Sequence, residues 1–129
     1  MATSKRLQIS SDGVPDGLTS AMPHDETTNK VHDVIYQNKT GKTMIVIIQG
    51  ELDIKAAGDS AALFAFADNV DGGTVQVGQM SVDDTDVVTS NLNFLNTITF
   101  LVPPNFFYQV QASVSATGTA TIDSWMEYY

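Results

Sequence analysis

The stretch FLNTITFLVPPNFFYQVQASV, from Phe94 to Val114, decides the fold class. Apolar side chains recur at every second position on both sides of Pro103-Pro104-Asn105, a period typical of strands with one buried face. The residues predicted to face the core are Phe94, Ile98, Phe100, Val102, Phe106, Tyr108, Val110, Ala112 and Val114. Gln109 and Gln111 fall on the opposite, solvated side. Because proline donates no backbone hydrogen bond, the break separates two antiparallel strands.

Further strands are predicted on both sides of this stretch. From Val31 onward Val, Ile, Thr, Phe and Tyr dominate, and turn residues recur at short intervals. The predicted strands are residues 31–37, 43–54, 60–67, 74–82, 94–102, 106–114 and 117–128. The apolar parity changes between Val77 and Met80, which predicts a β-bulge at Gly78 or a neighbour. The pattern predicts an all-β, antiparallel sandwich or barrel of seven or eight strands.

One predicted strand is apolar on both of its faces. Met44, Val46 and Ile48 occupy one parity, and Ile45 and Ile47 occupy the other. Such a strand belongs in the middle of a sheet that is covered on both sides, and another subunit is one way to cover the second side. Ile45 and Ile47 are therefore candidate subunit-interface residues.

Aromatic residues near the end of the sequence supply the other interface candidates. Phe107 lies on the polar parity of its strand, where an aromatic is either an isolated exposed residue or an interface anchor. Trp125 and Tyr128 have two interpretations, since large aromatics dominate both cores and subunit contacts. Core burial is the competing interpretation for Trp125.

Length, charge and cysteine content narrow the function classes. The chain has 129 residues, enough for one domain, and no cysteine, which excludes disulfides and thiolate chemistry. A net charge of -9 opposes nucleic-acid binding, because that affinity comes largely from Lys and Arg. No apolar stretch approaches the roughly 20 residues of a membrane helix, and no secretory signal is recognisable. We therefore expect folding in a cytoplasm, with no nucleic-acid or membrane partner.

Residues 1–30 differ from residues 31–129 in composition and are predicted to be a separate N-terminal segment. Ser, Thr, Asp, Gly and Pro are frequent there, and no period is sustained. The segment is either a disordered terminus or an extended arm that lies across a neighbouring subunit. The candidate contacts of such an arm are Leu7, Ile9, Val14, Leu18 and Met22.

The acidic and histidine residues offer no convincing reactive site. Residues 68–72 (DNVDG) superficially resemble a calcium loop, but the spacing fails and a plain turn is the alternative. The three carboxylates within residues 83–86 are interpreted as a solvated face. His24 and His32 make no metal-binding spacing, and no nucleophile motif surrounds any serine. We expect no catalytic residues, no metal and no cofactor, and therefore no enzyme.

Three segments together resemble a β-sandwich domain that is frequent in tailed-phage virion proteins. They are residues 36–44 (YQNKTGKTM), 100–110 (FLVPPNFFYQV) and 122–127 (IDSWME). The family shows a Tyr-x-Asn-x-Thr-Gly-Lys opening, a Val-Pro-Pro break before an aromatic strand, and a closing Trp-x-Glu in this order. The resemblance covers residues 31–129.

This resemblance implies a jelly-roll-like sandwich, often trimeric, on the outside of a virion. Because neither heptads nor a repetitive shaft is present, we expect a capsid decoration or cement protein, made in the bacterial cytoplasm. As a homotrimer it would bind and stabilise the head lattice through the major capsid protein or another virion protein. The alternative is a tail-fibre tip or receptor-binding module that recognises a host surface glycan.

Overall fold

The structure is a computed structural model that describes residues 21–83 and 92–129. These residues contain eight strands and no helix. The strands are β1 (Pro23–Asp25), β2 (Tyr36–Gln37), β3 (Met44–Ile54), β4 (Ser60–Asp68), β5 (Gln76–Asp83), β6 (Leu92–Val102), β7 (Phe107–Ser115) and β8 (Thr119–Tyr128). The all-β prediction is confirmed.

The strands form two four-stranded antiparallel sheets that face each other. The first sheet has the order β1-β8-β3-β6 and the second has the order β2-β7-β4-β5. Every connection except that between β4 and β5 passes from one sheet to the other. This is the strand order of an eight-stranded jelly roll, in agreement with the fold that the family resemblance implied.

The core lies between the two sheets and is built mainly from alternate residues of β3, β4, β6 and β7. Phe94 and Val114, which were predicted to face it, are 41% and 50% exposed. In β3 every second residue from Met44 to Ile54 is buried, and β3 lies between β8 and β6, as predicted for a central strand. The largest fully buried side chains of the core are Trp125, Tyr108, Met44, Ile48 and Leu52. Burying one such side chain contributes about 1.5–3 kcal/mol. The core therefore supplies most of the stabilisation.

The predicted β-bulge is confirmed. Ala65 of β4 pairs with Gly78, and the next residue, Phe66, pairs with Gln76, which leaves Val77 as the extra residue of β5. Gly78 is needed beside the bulge because a Cβ there would lie 2.5 Å from Cγ2 of Ile98. The parity change in the sequence therefore marked both the bulge and a close approach of β5 to β6.

The predicted strand over residues 31–37 is wrong for most of its length. Only Tyr36 and Gln37 are paired, because Asp33 adopts a φ of 62° that interrupts the extended backbone. Asp33 instead binds the edge of β7, where its N–H donates to the carbonyl of Val110 and its carboxylate accepts the N–H of Ala112. Contacts between Asp33 and β7 thus take the place of the strand that was predicted over residues 31–35.

The folded domain also begins earlier than residue 31. β1 pairs with the end of β8, from Pro23 opposite Tyr128 to Asp25 opposite Met126. The remainder of this segment, up to residue 30, is fastened by further hydrogen bonds, among them the N–H of Glu26 to the carbonyl of Trp125 at 2.8 Å. Residues 21–30 of the predicted arm are therefore part of the sandwich.

Asp59 joins two turns at one end of the sandwich. Its buried carboxylate accepts hydrogen bonds from the N–H groups of Lys55, Ala56 and Thr117 and from the Thr117 hydroxyl. These bonds favour the ionised form, with the Thr117 hydroxyl the largest contributor, and they lower the pKa of Asp59 to about 2. The turn after β3 is thereby tied to the turn before β8.

This carboxylate predicts a defined acid response. A carboxyl group has a pKa of about 3.9 in the unfolded chain, so Asp59 stabilises the fold above about pH 4. That stabilisation is lost as the pH falls from about 4 through 2. We expect Asp59→Asn to lower the melting temperature at pH 7 and to reduce its fall between pH 4 and pH 2. Asp123→Asn, at an exposed position, is the control, and an equal acid response in wild type and Asp59→Asn would contradict the prediction.

Candidate functional site

An apolar patch lies on the outer face of the first sheet. Register pairs Ile45 with Leu101 on one side and with Tyr128 on the other, while Ile47 pairs with Met126. We call these five residues the apolar patch. Leu101 is 57% exposed and the other four are partly buried. The outer face of a single sandwich normally carries polar side chains, so this patch is the candidate functional surface.

The same face becomes polar beyond the patch. The outward positions of β3 change from isoleucine to Gln49, Glu51 and Asp53 along the strand. The register of β3 and β8 shifts between Gln49 and Gly50, so that Asp123 is the extra residue of a bulge. A shallow cleft of about 360 Å³ lies at this shift. It is lined by Gln49, Gly50, Leu95, Asn96, Thr97 and Asp123.

Three of the five predicted interface residues meet in the apolar patch. Ile45, Ile47 and Tyr128 share the outer face, as the double parity of β3 predicted for the two isoleucines. Leu101 and Met126 were not predicted from the sequence. Leu101 interrupts the alternation of its strand with an outward apolar side chain, and this was the signal available in the sequence.

Trp125 does not belong to this surface. Its side chain is 0% exposed, and it packs in the core against the rings of Tyr36 and Tyr108, with centroids 5.7 Å and 6.4 Å away. It lies on the inward parity of β8, opposite Ile48. The core interpretation of Trp125 is therefore correct, and its assignment to a subunit interface is wrong.

Phe107 lies on the second sheet, far from the apolar patch in the strand order. It is partly buried beside the loop that follows β4, and a Cβ on Gly72 would lie 3.1 Å from Cβ of Phe107. The neighbouring outward residue, Gln109, is 6% exposed because its amide donates to the carbonyl of Gly72. The prediction that Gln109 faces solvent is wrong, since this loop folds over the strand.

A buried polar cluster beneath the first sheet was not anticipated from the sequence. Glu127 is 2% exposed and accepts three hydrogen bonds, from the Tyr108 hydroxyl at 2.5 Å, Nε1 of Trp125 at 3.0 Å and Nζ of Lys30 at 3.0 Å. Burial, together with the Glu127 carboxylate, raises the pKa of Tyr108 well above its ordinary value. The tyrosine therefore stays protonated and donates to Glu127.

Lys30 closes this cluster and fastens the N-terminal segment to the sandwich. Its ammonium lies 5.1 Å from the ring centroid of Tyr36 and 6.0 Å from that of Tyr108. The two rings and Glu127 thus form a cage that the chain fills with its own cation. The charges are matched inside the molecule, so we assign this cluster to stability.

Residues 68–72, which superficially resemble a calcium loop, form an ordinary turn in the structure. The carboxylate of Asp68 accepts the N–H groups of Val70, Asp71, Gly72 and Thr74 at 2.7–2.9 Å. These bonds, that of Gly72 foremost, hold its pKa well below the usual range. Both oxygens of Asp68 are occupied by backbone donors, as the plain-turn alternative required. Of the three carboxylates in residues 83–86, only Asp83 lies within the described residues.

The histidines lie apart from each other. His24 stacks on Tyr129 with ring centroids 3.8 Å apart, and Nδ1 of His32 lies 2.7 Å from the carboxylate of Asp33. Across residues 21–83 and 92–129, no three His, Asp or Glu side chains are close enough to hold a metal ion. The same residues contain no helix long and apolar enough to cross a membrane.

Most of the predicted arm contacts lie outside the described residues. These are Leu7, Ile9, Val14 and Leu18. Met22 is described, is 63% exposed, and exchanges two backbone hydrogen bonds with Tyr129. The chain therefore enters the sandwich beside the apolar patch, at the end of β8.

No family model matches the chain, and no curated protein matches it.

Proposed function

We propose that this protein is a non-enzymatic structural protein on the outside of a tailed-phage virion, a decoration or cement protein that acts as a homotrimer. The observation that carries the proposal is the apolar patch, an outward surface on a chain of net charge -9. A protein that works by packing needs such a surface. Jelly rolls are common in viral capsid proteins, which favours the same class.

The patch suits association with copies of the same chain. Ile45, Ile47, Leu101, Met126 and Tyr128 are contiguous across three strands. Around a threefold axis, three copies bring their patches together and remove this surface from water, which contributes about 25 cal/mol per Å² before ordering costs. Met22, near the start of the described residues, pairs with Tyr129 next to the patch. In the proposal, residues 1–20 of each subunit reach from there toward the head lattice.

A patch variant tests the assembly. Ile47→Glu places a charge in the middle of the patch, and we expect sedimentation at micromolar concentration to show a trimer for wild type and at least a tenfold weaker association for the variant. Val70→Glu, at a loop position that is 71% exposed, is the matched control and stays trimeric. A wild-type protein that is monomeric at this concentration counts against the proposal.

The location on the virion is tested by binding. Purified protein is mixed separately with undecorated phage heads and with host cells, and bound protein is measured after sedimentation. The cement proposal predicts binding to heads and a higher temperature of head disruption. Binding to cells alone would overturn it.

A receptor-binding module is the second candidate, favoured by the cleft at the bulge. Gln49, Asn96 and Asp123 present two amides and a carboxylate, which pair with sugar hydroxyls, and lectins are a further jelly-roll class. This candidate predicts binding to host surface glycan that Asp123→Ala abolishes. If the Asp123→Ala variant still bound host cells, the receptor-binding candidate would be rejected.

A further inference from the structure

β6 is the outermost strand of the first sheet. It pairs with β3 along its whole length of 11 residues, and no other strand of the described chain lies on its second side. An edge strand of this length directs a row of N–H and C=O groups away from the sheet.

One hydrogen bond shows which backbone groups face outward. The N–H of Thr97 donates to Oδ1 of the adjacent Asn96 at 2.8 Å instead of to β3. In an antiparallel strand the N–H and C=O of one residue face the same side, and this side alternates along the chain. Leu95, Thr97 and Thr99 therefore direct their backbone groups to the outer edge.

The other edge strands of the described residues are short or interrupted: β1 has three residues and β2 has two. Asp33 binds the outer backbone groups of β7, and β1 together with the Thr27 hydroxyl covers the outer side of β8. β5 is interrupted by its bulge at Val77, a device that discourages pairing. β6 has no bulge, proline or charged residue.

The side chains along this edge favour a second copy of the chain. Residues 87–122 contain no charged side chain, although the whole chain has a net charge of -9. The β6 strands of two copies therefore bring together no charged side chain of their own, and Glu51 and Asp53 lie one strand behind, on β3. Twelve large apolar side chains of the described residues are exposed, and half of them lie along this side of the sandwich. They are Val75, Val77, Leu92, Phe94, Leu95 and Leu101.

We propose that β6 pairs antiparallel with β6 of a second copy about a twofold axis near Thr97, joining two first sheets into one continuous sheet. Thr97 is the middle residue of the strand, so the Leu92 end of one copy meets the Leu101 end of the other. The contact is isologous and every interaction occurs twice. It shares Leu101 with the apolar patch but uses the backbone edge of β6 instead of the outer face of the sheet, and it stands whether or not the protein belongs to a virion.

Two variants and a matched control test this pairing. Leu95→Lys places a charge at the edge at a position that is 70% exposed, and Val70→Lys does the same in a loop at a position that is 71% exposed. Thr97→Pro removes one outward N–H without removing a bond to β3. Circular dichroism and thermal unfolding identify any variant that fails to fold. All proteins are examined by sedimentation and by amide hydrogen exchange over a range of concentrations.

We expect the pairing to appear as a concentration-dependent slowing of exchange at the amides of Leu95, Thr97 and Thr99. Leu95→Lys and Thr97→Pro should weaken the association at least tenfold, and Val70→Lys should leave it unchanged. Exchange that is independent of concentration would overturn the proposal, whether fast, from an unpaired edge, or slow, from an edge covered by its own chain. Ile47→Glu should keep the slow exchange, so failure of the trimer and failure of this pairing are distinguishable.

Discussion

Replacing Trp125 with alanine is expected to lower the free energy of unfolding by about 4 kcal/mol, the largest effect of any single substitution considered. Trp125 is 0% exposed and packs between Tyr36 and Tyr108. Alanine leaves a cavity that the two facing sheets fill only partly, since both are held by their backbone ladders. The loss also leaves Glu127 without the hydrogen bond from Nε1 of Trp125.

Urea unfolding followed by circular dichroism measures this effect. Trp125→Phe is the control, because it keeps much of the apolar volume and should cost about half as much. The loss should be the same at every protein concentration, since the side chain lies inside one subunit. A loss below about 1 kcal/mol, or one that changes with concentration, would place Trp125 at a surface after all.

Replacing Glu127 with alanine is expected to cost about 3 kcal/mol. The substitution leaves the Tyr108 hydroxyl and Nε1 of Trp125 without their acceptor in the core. It also leaves the ammonium of Lys30 beside two aromatic rings without a carboxylate. The side chain of Lys30 keeps 17% exposure, so water relieves part of this charge, and the cost lies at the lower end for a broken buried ion pair.

A double-mutant cycle isolates the ion pair from the rest of this cluster. Lys30→Met keeps the length of the side chain, Glu127→Gln keeps an acceptor oxygen, and the double variant completes the cycle. We expect a coupling of about 1 kcal/mol or more, and faster amide exchange in residues 25–30 for every variant that lacks the pair. A coupling near zero would mean that the neutral hydrogen bonds alone hold the N-terminal segment.

Much of the fold follows from local patterns in the sequence. The observed bounds of β3, β4 and β6 lie within two residues of the predicted ones, because strand-forming residues and the turn residues that bound them are local signals. The bulge in β5 could also be predicted, since a change of apolar parity along a strand has few other causes. The strand predicted over residues 31–37 was wrong because the left-handed backbone of Asp33 is stabilised by β7, which is distant in sequence.

Only part of the apolar patch could be predicted from the sequence. Ile45 and Ile47 were predicted to share an outward face because they fill the second parity of an apolar strand. Their neighbours Leu101 and Tyr128 come from strands that are remote in the chain, and only the register of β3 with β6 and β8 brings them together. The alternation of side chains along a strand does not predict which strands are neighbours in a sheet.

The sequence by itself determined that this protein is all-β and that β3 is central, because side-chain alternation and double parity are local properties. Only the tertiary structure decided that Trp125 belongs to the core, that residues 21–30 close one side of the sandwich, and that β6 stands at an edge. Each of these depends on pairing between segments distant in the chain. The free energy that stabilises this pairing comes from packing across the whole core. No single stretch of the sequence therefore predicts it.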